Sequence, residues 1–229
     1  MIELLEVSKT YLRGPEKIQA LMEINLRLAA GEFVAVSGKS GCGKSTLLHI
    51  IGGLEPPTAG RVLVEGRDLA LLPDQELTRF RRDRVGVVFQ SFNLLPLLTL
   101  EENVALPRAL QGLSYPKARE EALYWLEQVE LGPRRFHKPH QVSGGEMQRA
   151  AIARTLINRP AVLLADEPTG NLDSATAGQI LDLFARVHRD WGQTIILVSH
   201  APEVAAVADR VLTMQDGIIV PGSRFQVPG

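Results

Sequence analysis

The chain has 229 residues, 45% of them hydrophobic and 22% charged, with a formal net charge of −1. This is enough apolar material for one sizeable core, it is not the composition of a disordered chain, and it lacks the global basic field of a nucleic-acid binder. The single cysteine, Cys42, excludes an intramolecular disulfide framework and fits a reducing compartment.

The first ten residues carry Glu3 and Glu6 and lack the basic start and apolar stretch of a secretory signal. No apolar run approaches the roughly 18 residues that cross a bilayer. The expectation is a soluble cytoplasmic protein that reaches a membrane only through a partner.

Short runs rich in Val and Ile recur at residues 33–37, 62–65, 85–89, 161–165, 194–199 and 210–214, and read as strands. Helical periodicity lies between several of them. Ala122, Leu123, Leu126 and Val129 share one face of residues 118–129, and Ile180, Leu181, Phe184 and Val187 one face of residues 176–187. Strands alternating with helices predict an α/β fold with a mainly parallel sheet. Residues 91–158 show helical patterns, no convincing strand, and prolines at 96, 107, 116, 133 and 139. They predict a helical subdomain inserted into a core of residues 1–90 and 159–220, all within one domain, followed by a loose tail at 221–229. Arg79, Arg81, Arg82 and Arg84, interrupted by Asp83, read as a solvated face.

Gly38-Lys39-Ser40-Gly41-Cys42-Gly43-Lys44-Ser45 fits G-x-x-x-x-G-K-[ST], with a strand before it and a helical segment from Thr46 after it. Glycines let successive N–H groups turn toward phosphate oxygens, and the helix N-terminus adds partial positive charge. Lys44 can reach β- and γ-phosphates, and the Ser45 hydroxyl can ligate Mg²⁺. Cys42, inside the loop, is expected to react with alkylating agents and to be protected by a bound phosphate.

Residues 161–165 run into Asp166 and Glu167. An apolar strand ending in an acid can hold Asp166 beside the phosphate loop to bind Mg²⁺ through its water shell, while Glu167 polarises an attacking water. Val142-Ser143-Gly144-Gly145-Glu146 then precedes a helical pattern at 150–156. Two readings stay open for it: a second anion site, or a helix cap with Ser143 as N-cap and Glu146 closing a capping box.

With these motifs the sequence resembles the ATP-binding-cassette (ABC) ATPases over about residues 2–220. The resemblance implies a RecA-like P-loop core, N-terminal antiparallel strands and an inserted helical subdomain. It implies that Tyr11, ahead of the first strand pair, stacks on adenine. Gln90 would sense Mg²⁺ and the γ-phosphate, and His200 would contact that phosphate. Ser143, Gly144 and Gly145 would meet the γ-phosphate held by a second copy, and Asp173 would lie in the loop that crosses the dimer interface. Lys39, Glu146 and Ala201 stand where proline, glutamine and aspartate are commoner.

The segments around Phe89 to Val104 and Leu164 to Ser174 are similar to the lipoprotein-release, macrolide-export and cell-division branch. That branch implies ATP and Mg²⁺ as ligands, a homodimer, and an integral-membrane permease docking near residues 91–100 from the cytoplasmic face. A soluble or regulatory cassette not coupled to transport remains the alternative.

Overall fold

The computed structural model describes residues 2–220; the tail at 221–229 lies outside them. Strand β1 (Ile2–Arg13) pairs antiparallel with β2 (Glu16–Leu28) and with β4 (Ala59–Val64), and β4 pairs with β5 (Arg67–Asp68), giving a four-stranded sheet in the order β2-β1-β4-β5. The β1 register shifts between Leu4 and Val7, where Glu6 has φ +52°. Such a bulge returns both apolar side chains to one face, and Leu4 and Val7 are both buried. The interrupted alternation hides this strand from a period-2 reading. Tyr11 therefore does not precede the first strand pair: it lies inside β1, opposite Ile18 of β2.

The second sheet has six strands in the order β10-β9-β3-β8-β7-β6, comprising β3 (Phe33–Gly38), β6 (Val85–Phe89), β7 (Val162–Asp166), β8 (Thr194–Val198), β9 (Arg210–Gln215) and β10 (Ile218–Ile219). All its pairs are parallel except β10 with β9. Parallel strands need both faces covered, and their side chains supply two apolar layers. Val34, Val36, Leu164, Ile196 and Val198 join Leu47, Leu48 and Ile51 of α1 (Lys44–Ile51) and the apolar face of the first sheet. Ala35, Leu163, Ala165 and Leu197 face the other way, onto α5 (Gly144–Leu156) and α6 (Ser174–Trp191). Each fully buried Leu, Ile or Phe contributes about 1.5–3 kcal/mol of transfer free energy.

Residues 91–158 contain α3 (Leu100–Leu110), α4 (Tyr115–Gln128) and α5, and no strand. Their apolar residues, such as Leu100, Val104 and Leu126, belong to the same continuous cluster as Leu163 and Leu197. The arginine-rich stretch forms α2 (Asp74–Arg84), and only part of it is a solvated face. Arg81 donates to the Gly53 carbonyl at 3.2 Å, and Arg84 is ion-paired with Glu65.

The sheet register builds the site. Val36 pairs with Val198, Val198 with Asp166, and Asp166 with Phe89, so these residues form one row across β3, β8, β7 and β6. The residues that follow them sit together at the carboxyl edge of the sheet. In open α/β sheets, ligands bind there.

Candidate nucleotide site

At that edge β3 turns through Gly38 to Gly43 into α1. Gly43 has φ +105°, and a Cβ there would lie 2.4 Å from the Ala20 carbonyl oxygen, so no other residue fits. The loop borders a cleft of about 540 Å³ whose wall includes Ser40, Gly41, Gly43, Lys44, Ser45 and Thr46, with Ala20, Gln90, Glu167 and His200 completing it. The Lys44 ammonium is buried and donates to the carbonyls of Gly38 at 2.9 Å and Lys39 at 3.0 Å. Among the described residues no carboxylate pairs with it. A buried cation held only by carbonyls suits an incoming anion.

The acid pair divides its partners. Ser45 donates its hydroxyl to Asp166 Oδ1 at 3.0 Å, which ties β7 to α1. Glu167 has φ +47° and points elsewhere, with Oε2 3.0 Å from His200 Nδ1. Among the described residues no group of three or more His, Cys, Asp or Glu forms a metal cage. One hydroxyl beside one carboxylate is nevertheless the donor set of Mg²⁺, which keeps several waters and takes the rest from substrate phosphates.

Gln90 donates Nε2 to Asn171 Oδ1 at 3.0 Å, and Asn171 returns Nδ2 to the Gln90 carbonyl at 3.2 Å. Beyond Gln90, Phe92 and Asn93 both have positive φ, and Arg154 of α5 donates to their two carbonyls at 3.0 and 2.5 Å. Burial pushes the Arg154 guanidinium below its usual pKa. The buried Asn103 side chain clamps the next residues: it accepts from Leu95 N at 2.7 Å and donates to the Leu95, Leu98 and Thr99 carbonyls. Gln148 of α5, also buried, donates to the Pro168 carbonyl at 2.7 Å. Sequence reading singled out none of Arg154, Asn103 or Gln148, because their partners are backbone groups, some of them distant along the chain.

Ser143 is the N-cap of α5. Its Oγ accepts from Glu146 N at 3.2 Å, and Glu146 accepts from Ser143 N at 2.8 Å, so the capping box is present. Gly145 is required by packing: a Cβ there would lie 2.4 Å from Thr176 Cγ2 of α6. Asp173 caps α6, accepting from Thr176 N at 3.0 Å and its hydroxyl at 2.6 Å. Ser143, Gly144, Gly145 and Asp173 do not line the cleft that Lys44 and Glu167 share.

Tyr11 donates its hydroxyl to Glu55 at 2.7 Å. Lys39 is exposed and does not line the cleft. Cys42 also points away from it, 6% exposed and packed in the apolar layer with α1, which corrects the expectation of a reactive thiol.

A phosphate loop at the carboxyl edge of a parallel sheet, with an acid pair at the end of β7, one strand beyond the neighbouring β8, defines a P-loop nucleoside triphosphatase. The comparisons narrow the class. Residues 21–170 match the ABC transporter family. The chain is 47% identical over 221 residues to the ABC transporter ATP-binding protein MJ0796 of Methanocaldococcus jannaschii, covering 95% of this chain and 94% of that one. It is 47% identical over 226 residues to the macrolide export ATP-binding/permease protein MacB of Rhodopirellula baltica, covering 98% of this chain and 33% of the longer protein. The dimeric post-hydrolysis state of the MJ0796 cassette bound to ADP and Pi superposes with a TM-score of 0.90 at 43% identity, over 100% of both chains. The chain belongs to the ABC transporter family, as its ATP-binding and ATP-hydrolysing cassette.

Proposed function

We propose that two copies of this cassette sandwich two MgATP molecules, and that closure and hydrolysis drive an integral-membrane permease. One observation carries the sandwich: the chain builds a phosphate cleft and a capped Ser-Gly-Gly helix start, and the second does not line the first. A two-fold partner brings one copy's helix start to the other's cleft, so that neither half-site is idle. The relative from Methanocaldococcus jannaschii is dimeric with ADP and Pi, which supports this arrangement.

In this reading the backbone from Gly38 to Thr46 cradles the phosphates, and Lys44 neutralises the β- and γ-oxygens. Ser45, Asp166 and Gln90 would hold Mg²⁺, which supplies charge neutralisation of the transferring phosphoryl group. Glu167 takes the proton of the attacking water, and His200, beside it, meets the γ-phosphate. Ser143 uses its oxygen as the cap acceptor and keeps its O–H to donate to the partner copy's γ-phosphate. Asp173 shapes the interface loop by capping α6, and Tyr11 stacks under the base.

Residues 91–158 act as the lever, and the permease docks on residues 91–100, where Leu95 is 44% and Leu97 81% exposed. Asn103 and Arg154 hold that loop to α3 and α5, so a push on it reaches the Ser143 end of α5. Among the described residues no helix is long and apolar enough to cross a membrane; the cassette works from the cytoplasmic face through its partner. The MacB relative, a macrolide export ATP-binding/permease protein, supports that pairing and the macrolide-export branch.

The test is affinity capture of the tagged cassette from detergent-solubilised native membranes. A multi-pass protein recovered with wild type and lost with Leu97→Asp supports the docking assignment. Equal recovery with Leu97→Asp removes it, and recovery of no membrane protein removes the permease reading.

A further inference from the structure

Glu55 lies just beyond α1 and gathers three side chains. Its carboxylate accepts the Tyr11 hydroxyl at 2.7 Å, lies 3.3 Å from the Lys9 ammonium, and lies 3.4 Å from His49 Nδ1. Lys9 is tethered in turn by the Pro56 carbonyl at 2.8 Å, which sets its ammonium over the Tyr11 ring, 5.1 Å from the centroid. The hydroxyl of Thr46, in the cleft wall, faces the same phenol. The ring is thus fixed at its backbone by the β1–β2 pairing, at its hydroxyl by a carboxylate, and on one face by a cation.

We propose that Glu55 and Lys9 hold Tyr11 as a platform with one free face for the nucleotide base, which makes Glu55 a positioning residue for nucleotide binding. The proposal rests on the reading of Tyr11 as the aromatic under the base. An unrestrained tyrosine gives up rotamer freedom when a base stacks on it, whereas a ring fixed beforehand does not. The charge-assisted O–H···O⁻ bond is a strong tether, and a cation against one ring face is attracted by the π quadrupole. The phenol O–H is committed to Glu55, so it is not free to read a purine edge. This ring recognises a base by its π face, which every base offers. The polar network also explains why burial and the Glu55 contact raise the Tyr11 pKa, while the Tyr11 hydrogen bond lowers that of Glu55.

Steady-state hydrolysis by wild type, Glu55→Ala, Glu55→Gln, Tyr11→Ala and the Tyr11→Ala/Glu55→Ala double variant tests the proposal. Competition by magnesium tripolyphosphate, which has no base, is the control. Loss of Glu55 is expected to raise the KM for ATP about fivefold to tenfold, a share of one base–aromatic stack, with kcat within about twofold. GTP shifts by a similar factor. Glu55→Gln, which keeps an acceptor for the phenol, recovers most of the loss. In the Tyr11→Ala background, removing Glu55 adds nothing, and tripolyphosphate inhibits every variant alike. An unchanged KM in Glu55→Ala beside a raised KM in Tyr11→Ala overturns the positioning role and leaves the platform standing. An unchanged KM in Tyr11→Ala overturns both. Weaker tripolyphosphate inhibition in Glu55→Ala also overturns the proposal, because Glu55 would then be propping α1 and the phosphate loop.

Discussion

Glu167 Oε2 lies 3.0 Å from His200 Nδ1, while Asp166, its neighbour in sequence, is taken by the Ser45 hydroxyl at 3.0 Å. The split is produced by the backbone. Consecutive strand side chains already point to opposite faces, and at Glu167 the chain leaves β7 with φ +47°. A left-handed non-glycine residue costs about 1–2 kcal/mol, and here it is held by Glu167 N donating to the Val198 carbonyl at 3.0 Å and Gly170 N donating back to the Glu167 carbonyl at 3.1 Å. Two adjacent carboxylates thereby serve two elements, α1 on one side and the segment after β8 on the other.

Lys44→Ala tests the phosphate loop. The variant removes the buried ammonium and strips the Gly38 and Lys39 carbonyls of their donor. Hydrogen bonds to charged groups contribute about 1.5–3 kcal/mol, so MgATP affinity is expected to fall about tenfold to a hundredfold. Isothermal calorimetry reads it directly; an affinity equal to wild type would remove Lys44 from the site.

Asn103→Ala tests the clamp on residues 95–99. The change leaves Leu95 N and the carbonyls of Leu95, Leu98 and Thr99 without their side-chain partner. A loss of about 2–3 kcal/mol is expected, or roughly 5–10 °C in Tm for a chain of this size. Amide exchange should accelerate around Leu95 and Leu98 before it does in β7 or β8. Uniform acceleration through the chain would make Asn103 an ordinary core residue.

What was legible in the sequence follows from where the information is stored. The phosphate loop, the acid pair and the Ser-Gly-Gly start are contiguous, so spacing alone reveals them. Strands β3, β6, β7 and β8 are short and apolar on both faces, and read the same way. The N-terminal antiparallel strands came from the family resemblance alone, because bulges at Glu6 and beyond break the alternation of β1. Glu55, Asn103, Gln148 and Arg154 were illegible for another reason. The Tyr11–Glu55 contact spans 44 positions, Gln148–Pro168 20 and Arg154–Asn93 61, pairings that only the fold creates. Asn103 binds backbone groups four to eight positions back that no spacing pattern marks. Cys42 shows the converse error, since a position inside a phosphate-binding loop does not decide which way a side chain points.

The buried thiol carries its own prediction. Alkylation of native Cys42 is expected to be at least ~100-fold slower than in the urea-unfolded chain, because the thiol must wait for local opening. MgATP should slow it further only by stabilising the fold. Rapid labelling of the native protein, blocked by MgATP, would place the thiol in the cleft instead.

Acid stability should report the helix caps. The Ser143 N–H holds the Glu146 carboxyl below its ordinary value of 4.5, and the Thr99 N–H does the same for Glu102. The Thr176 hydroxyl lowers Asp173 below 3.8. A folded pKa below the unfolded one means stability that is complete above the unfolded value and is lost as pH falls through the folded one. Tm should therefore be insensitive to these groups above about pH 5.5 and fall progressively below pH 4.5. Glu146→Gln, which cannot titrate, should flatten part of that slope. An unchanged slope would show that other carboxylates dominate.

Glu167→Gln joins the catalytic and dimer readings in one variant. It keeps the shape of the side chain and an acceptor near His200 but deletes the carboxylate that would take the proton of water. General-base catalysis typically contributes about 10²–10⁴-fold, so hydrolysis should drop by at least two orders of magnitude in a phosphate-release assay. Binding should persist, because Lys44 and the Ser45–Asp166 pair are untouched. ATP then stays between two subunits that cannot reset, and the variant should run as a dimer on size exclusion with MgATP and as a monomer with ADP. Adding Ser143→Arg places a long side chain at the N-cap of α5, where the partner's γ-phosphate would sit, and should return the protein to monomer. Glu167→Gln that hydrolyses ATP at the wild-type rate would remove the general-base role. A double variant that still dimerises with ATP would take Ser143 out of the interface, and with it the sandwich built on that helix start.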